Sequence, residues 1–211
     1  RGALRKVAYP YYWLTASLRP LPSALIIGTM KGGTSTLHAW LRHHPQVMFS
    51  AIKEVHYFND HYSRGERWYR TYFPLWEQWV GGRCALEATP AYLYRAPVVM
   101  PRMHALVPEA RLILLLRNPV ARAISHYGHQ VQRGVEQRSA SEALMSPDPR
   151  AKGKPNHYKR RGLYVEQIEQ VLRFYPREQL LMLRSEDFFA QPAAAYSRVQ
   201  EFLGLSPQPL P

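Results

Sequence analysis

The sequence predicts an α/β protein: a three-layer α/β/α sandwich with a mostly parallel central sheet and a P-loop-like anion loop near its front. Three observations predict it. Short continuous apolar runs at Ala24–Ile27, Arg111–Leu116 and Gln179–Leu183 read as strands buried on both faces. Segments of helical periodicity alternate with them, which implies parallel pairing through crossover helices. The first run breaks into Gly28-Thr-Met-Lys-Gly-Gly33 before a helix begins, the strand–glycine loop–helix opening of a nucleotide-binding domain. A length of 211 residues suits one domain over 1–211.

The elements follow in order. Residues 1–22, with Tyr9-Pro-Tyr-Tyr-Trp13 and Pro20-Leu-Pro22, read as an irregular lead-in. After the glycine loop, Thr34 or Ser35 starts a helix with Leu37, Trp40 and Leu41 on its inner face, ending near His43-His44-Pro45. Arg83–Glu87 is a second strand, stopped by Thr89-Pro90, and Pro97–Leu106 is helical. The strand Arg111–Leu116 runs into Arg117-Asn118-Pro119, where Asn118 caps a helix and Pro119 fits its first turn. That helix continues to about Val131. Arg133–Lys159 is a long basic excursion, with helix expected near Ala140–Met145. Gly162–Phe174 is a further helix, Gln179–Leu183 a strand, and Pro192–Leu203 a last helix ended by Gly204.

Composition bounds the chemistry. Lys and Arg number 28 against 15 Asp and Glu, a formal charge of +13 that favours polyanionic partners: nucleic acid, phosphorylated cofactors, acidic glycans or acidic membranes. Denser basic patches lie at Arg1–Lys6 and Lys152–Arg161, equally readable as solvated surface. No zinc-finger spacing, basic zipper or aromatic RNA-binding motif is found, so nucleic acid is not the expected partner. Cys84 is the single cysteine, which excludes an intrachain disulfide and a cysteine-rich zinc site. No apolar run approaches the ~20 residues of a membrane span. The chain opens at Arg1 and ends in Pro207-Gln-Pro-Leu-Pro211; it is expected to be a piece of a longer protein, truncated at its C-terminus, any membrane anchor lying outside it.

Lys31-Gly32-Gly33-Thr34-Ser35-Thr36 forms an anion cradle. Glycines let backbone N–H groups approach an anion, the helix start adds partial positive charge, and Lys31 and three hydroxyls complete the set. A kinase-type P-loop needs GxxxxGK[ST], whereas here the lysine precedes the glycine pair. Arg117 also stands at the end of the strand where a metal-binding aspartate is expected, which argues for phosphate binding without a metal. His43-His44 and the pair His126 and His129 lack further ligands in view, so no metal site is expected.

The loop Lys31–Thr36 resembles the 5′-phosphosulfate loop of sulfotransferases that use 3′-phosphoadenosine 5′-phosphosulfate (PAPS). Leu115-Leu-Arg117-Asn-Pro-Val-Ala-Arg-Ala-Ile-Ser125-His-Tyr127 is similar to that family's 3′-phosphate segment, with Arg117 and Ser125 in the phosphate-binding positions. Lys53-Glu54-Val-His56-Tyr-Phe58 resembles the Lys-Glu-x-His-Phe-Phe stretch of the heparan sulfate and related carbohydrate branch, as does Arg161-Gly-Leu-Tyr164 followed by Leu183-Arg-Ser-Glu-Asp187. Four motifs in the family's order span roughly Pro22 to Leu205.

This resemblance implies an enzyme moving a sulfonate from PAPS to a hydroxyl, less readily an amine, of a carbohydrate acceptor, with an acidic glycan as partner and no metal. It implies Lys31 as the cation stabilising the leaving phosphate, Glu54 as general base with its basicity raised by burial, and His56 orienting acceptor or sulfonate. Lys31 to Thr36, Arg117, Ser125 and Tyr164 would hold the nucleotide; Lys53 and His56 would face the acceptor. In an extended segment Glu54 and His56 point the same way. Arg122 reads as solvated helix face. Two departures stand out: Asn59 sits where the heparan branch often has an acidic residue, and Ala88 where some members have a lysine. In a eukaryote the resemblance implies the Golgi lumen. The alternatives are a P-loop nucleotide-dependent kinase, a non-catalytic polyanion-binding module on the same fold, or sulfation of tyrosine or small molecules.

Overall fold

A computed structural model describes residues 8–75, 84–145 and 157–211. Five parallel strands form the centre in the order β2-β3-β1-β4-β5: β1 (Ala24–Gly28), β2 (Val47–Phe49), β3 (Cys84–Ala88), β4 (Arg111–Leu116) and β5 (Leu180–Arg184). Helices run between them: α1 (Tyr9–Leu14), α2 (Thr34–Leu41), α3 (Tyr57–Asp60), α4 (Gly65–Arg70), α5 (Ala91–Tyr94), α6 (Ala96–Leu106), α7 (Pro119–Gln132), α8 (Ala140–Met145), α9 (Tyr164–Leu172), α10 (Ser185–Ala190) and α11 (Pro192–Leu203). The three-layer reading therefore holds, with every strand pair parallel.

Strand pleating sorts the apolar runs between two cores. Leu25, Ile27, Leu112 and Leu114 face α5, α6 and α9, while Ala24, Ile26, Ile113 and Leu115 face α2, α10 and α11. All eight are fully buried, each larger aliphatic side chain contributing about 1.5–3 kcal/mol. At the start of α7 the Asn118 carboxamide oxygen accepts from the N–H groups of Val120 (3.0 Å) and Ala121 (3.1 Å), and Pro119 occupies the first turn. Helix α11 ends at Gly204 in the left-handed region, φ 67°.

The lead-in departs from its irregular reading. From residue 8 it folds as α1 and a 3-10 turn at Ala16–Leu18, because Pro10 suits a first turn and Arg19 anchors the segment. The buried Arg19 guanidinium donates to Phe73 O (2.5 Å) and Thr15 Oγ1 (2.9 Å) and lies 4.7 Å from the centre of the Tyr12 ring. The basic patch at Arg1–Lys6, residue 83 of the second predicted strand and residues 152–156 fall outside the described residues.

Arg122 is a second correction. It is fully buried, not solvated, because the chain returning from the basic excursion packs over α7 and presents Tyr158 O to the guanidinium. The described ends of the excursion are joined by a polar knot: Arg138 grips Glu136 through Nη2 (2.7 Å) and Nε (2.9 Å), Tyr158 donates to Glu136 Oε2 (3.0 Å), and Tyr127 donates to Arg138 O (2.9 Å). Within it, α8 occupies Ala140–Met145 as the periodicity predicts.

Candidate active site

The chain leaves β1 toward β2 and β3 on one side, then crosses to β4 on the other, so the crevice at the carboxyl ends of β1 and β4 is the topological switch point. The residues at both of those ends are the ones the sequence singles out. The β1–α2 loop is tightly folded: Thr29 N–H donates to Leu115 O (3.0 Å) and Gly32 N–H to Thr29 O (2.9 Å). A Cβ on Gly32 would sit 2.5 Å from the backbone oxygen of Leu115, and Gly33 has φ +102°, so neither position has room or conformation for a larger residue. Helix α2 then begins at Thr34.

Three elements brace the loop, directly or through Arg117. Ser185, first residue of α10, donates to Gly32 O (2.6 Å); Arg117 Nη1, past the end of β4, donates to Lys31 O (3.2 Å); and Tyr164, first residue of α9, donates to Arg117 O (2.9 Å). Lys31, Gly33, Thr34, Ser35, Arg117 and Ser125 line one cleft of about 270 Å³ together with Phe189. Gly32 is buried, Thr36 is half-buried as the third residue of α2, and Tyr164 bonds the backbone of Arg117. Sequence reasoning missed Phe189, whose ring would lie 3.1 Å from a Cβ on Gly33. The signal available was the aromatic pair Phe188-Phe189: Phe188 stacks on Trp40 at 4.6 Å in the core, which turns its neighbour to the surface.

The Lys53–His56 segment meets this cleft from the β2 side. Lys53 Nζ donates to Ser35 Oγ at 3.1 Å and lies 3.6 Å from Glu54 Oε1. Lys53 thus touches the cradle, where the acceptor side was expected. Glu54 Oε2 and His56 Nε2 are 3.2 Å apart; the segment is not extended, for His56 adopts φ 57°, yet the two side chains meet. Burial pushes the Glu54 carboxyl up, but the His56 hydrogen bond and the Lys53 charge outweigh it, leaving Glu54 below the ordinary range. The expected gain in basicity from burial is therefore reversed by partners. The Glu54 hydrogen bond raises His56 against its burial, with help from Asp60, whose Oδ2 lies 3.8 Å from Nδ1. Asn59 Nδ2 also lies 3.1 Å from that nitrogen. The result is a half-buried carboxylate–imidazole pair tied through one lysine to a loop of N–H and hydroxyl donors.

The model of the sulfotransferase domain matches residues 21–210. The chain belongs to the sulfotransferase family. Among curated relatives it is 35% identical over 187 residues to human heparan sulfate glucosamine 3-O-sulfotransferase 6, covering 89% of this chain and 53% of that protein. It is 34% identical to mouse heparan sulfate glucosamine 3-O-sulfotransferase 3B1 over 200 residues, 90% of this chain and 48% of the relative. The chain thus spans about half the length of these relatives. Among solved structures, a sulfotransferase from Alicyclobacillus acidocaldarius superposes with TM-score 0.80 at 28% identity, covering 91% of this chain and 84% of that one. The sulfotransferase domain of the Synechococcus olefin synthase shares the fold alone, with TM-score 0.56 and 16% identity over 90% of this chain and 75% of that one.

Family membership decides against the kinase alternative. Among the described residues of this sulfotransferase domain, no group of three His, Cys, Asp or Glu side chains is placed to hold a metal ion, and no helix is long and apolar enough to cross a membrane.

Proposed function

We propose that this sulfotransferase domain transfers a sulfonate from PAPS to a hydroxyl of an acidic carbohydrate. The observation that carries the reading is the bridge from Ser35 through Lys53 to Glu54, which sets a carboxylate beside the phosphate-type cradle. The donor set suits an anionic nucleotide: Gly32 admits no Cβ, and two cations, Lys31 and Arg117, share a cleft with the hydroxyls of Thr34, Ser35 and Ser125. In this reading the loop and Lys31 hold the 5′ end, Arg117 and Ser125 hold the 3′-phosphate, and Tyr164 keeps Arg117 in place. PAPS supplies the sulfonate when bound. Lys31 and the loop N–H groups stabilise charge gathering on the leaving phosphate, and Glu54 takes the proton of the acceptor hydroxyl. The carbohydrate class is supported by identity to the heparan sulfate sulfotransferases and by the +13 charge, which suits an acidic polymer.

The experiment is radiolabelled sulfonate transfer from PAPS to a panel of heparan-type glycans, phenols and tyrosyl peptides. Label on the glycans, abolished in Glu54→Gln, is expected. Label confined to phenols or peptides overturns the acceptor class. Failure to bind adenosine 3′,5′-bisphosphate overturns the reading as a whole.

A further inference from the structure

Outside the cleft, β3 carries a carboxyl group that the proposed chemistry does not use. Glu87 is fully buried in the middle of the sheet, where an ionised or even neutral carboxyl is costly unless every lone pair is met. Three hydroxyls meet it. Tyr69 donates to Oε2 at 2.5 Å, Thr89 donates to Oε1, and Tyr92 lies 3.1 Å from both oxygens.

Each of the three reaches one of three consecutive residues next to Glu54. Thr89 Oγ1 accepts from the N–H of His56 at 3.4 Å. The Tyr69 ring stacks on Tyr57, with centroids 4.2 Å apart and planes 6° from parallel. Tyr92 OH accepts from the N–H of Phe58 at 3.4 Å. A hydroxyl owns one proton and two lone pairs. Because Thr89 and Tyr92 direct their protons inward to Glu87, they present lone pairs outward to the two backbone N–H groups. A donor in the place of Oε1 would turn the Thr89 proton outward, against the N–H of His56.

We propose that Glu87 is a positioning residue for the Glu54–His56 pair: through Thr89, Tyr69 and Tyr92 it holds His56-Tyr57-Phe58 so that the His56 imidazole meets the Glu54 carboxylate. The proposal rests on the reading of that pair as the reacting one. The groups facing His56 are Glu54, Asp60 and Asn59 from its own segment and Glu87 from β3, with Lys53 close on Glu54.

The test uses Glu87→Gln, Thr89→Val and Thr89→Ser. Thr89→Val keeps the shape and removes the acceptor for His56 N–H, so it decides the matter even where Glu87→Gln fails to fold. The first readout is the NMR titration of the His56 ring, assigned by its loss in His56→Asn. His56 is expected to titrate above the ordinary histidine value in wild type, to fall back toward it in Thr89→Val and Glu87→Gln, and to be raised again in Thr89→Ser. The second is sulfonate transfer, with kcat down on the order of 10- to 100-fold and KM for PAPS unchanged. An unchanged His56 titration in folded Thr89→Val, with only the melting temperature lowered, overturns the proposal and leaves Glu87 a purely structural acid. The titration needs no turnover, so absence of transfer in wild type would sink the functional reading while this readout still decides the positioning.

Discussion

Glu54 Oε2 and His56 Nε2 lie 3.2 Å apart, and each holds the other in its charged form. His56 is raised, so its share of the pairing is fully present below 6.5 and is lost as pH rises through its higher folded value. Glu54 is lowered, so its share is present above 4.5 and is lost as pH falls through its lower folded value. Between those limits the carboxylate is neutralised by its neighbour and is a poor base. The rate of transfer is therefore expected to climb with pH through a titration above 6.5, as His56 gives up its proton. In His56→Asn, which has no imidazole to give up a proton, this ascending limb is expected to disappear. A pH–kcat profile with no such limb in wild type would contradict the pairing.

Replacing Glu54 by glutamine keeps its size and removes its basicity. Transfer is expected to fall on the order of 10²- to 10⁴-fold, while affinity for adenosine 3′,5′-bisphosphate, measured by calorimetry, stays as it was. The separation arises because Glu54 reaches the cradle only through Lys53. Equal transfer in the variant would remove Glu54 from the role of base, and lost nucleotide binding would place it in the cradle instead.

The nucleotide cradle can be broken from two sides. Gly32→Ala drives a Cβ against the Leu115 carbonyl at 2.5 Å, a backbone atom of β4, which is paired on both sides and cannot give way. A stability loss of about 1–3 kcal/mol is expected from such overpacking, together with loss of nucleotide affinity as the loop reopens. Arg117→Ala removes a cation from the cleft and the donor to Lys31 O. Nucleotide binding is expected to weaken about 10- to 100-fold, the worth of a charge-assisted hydrogen bond. Thermal shift with and without adenosine 3′,5′-bisphosphate distinguishes the two, since only Gly32→Ala lowers the melting point of the free protein by the larger amount.

What the sequence made legible follows from how local each signal is. Ala24–Ile27 and Arg111–Leu116 announce themselves because a strand buried on both faces must be apolar throughout. The glycine loop reads out because only glycine fits beside Leu115 O and at φ +102°. Helix α11 has its boundaries at Pro192 and Gly204, residues whose backbone chemistry marks an end. The short elements β2, α3, α5 and α10 escape because three to six residues hold fewer than two full periods, too few to show a repeat without flanking signals. Glu87, Tyr69, Thr89 and Tyr92 gather from three elements, and no spacing links Tyr69 to Glu87. Arg122 misled for a related reason: a helix face is solvated only if nothing returns to cover it, and Tyr158, far along the chain, does.

The last prediction concerns that cover. Arg138, through its two-pronged grip, holds the Glu136 carboxyl down to about 2 against an ordinary 4.5, with Tyr158 adding a further donor. A lowered carboxyl contributes stability that is present above 4.5 and lost as pH falls toward 2. The knot joins Glu136 and Arg138 at the start of the excursion to Tyr158 at its return, and Tyr158 O is the acceptor for buried Arg122. Acidification through that window is therefore expected to release the excursion before the sheet unfolds, read as accelerated hydrogen exchange around Tyr127 and Tyr158 while β1 and β4 stay protected. Glu136→Gln should show the released state already at neutral pH, with Arg138 still present but its partner uncharged. Exchange that rises in β4 together with Tyr158 would mean that the excursion and the sheet open as one unit, and that the knot does not act alone.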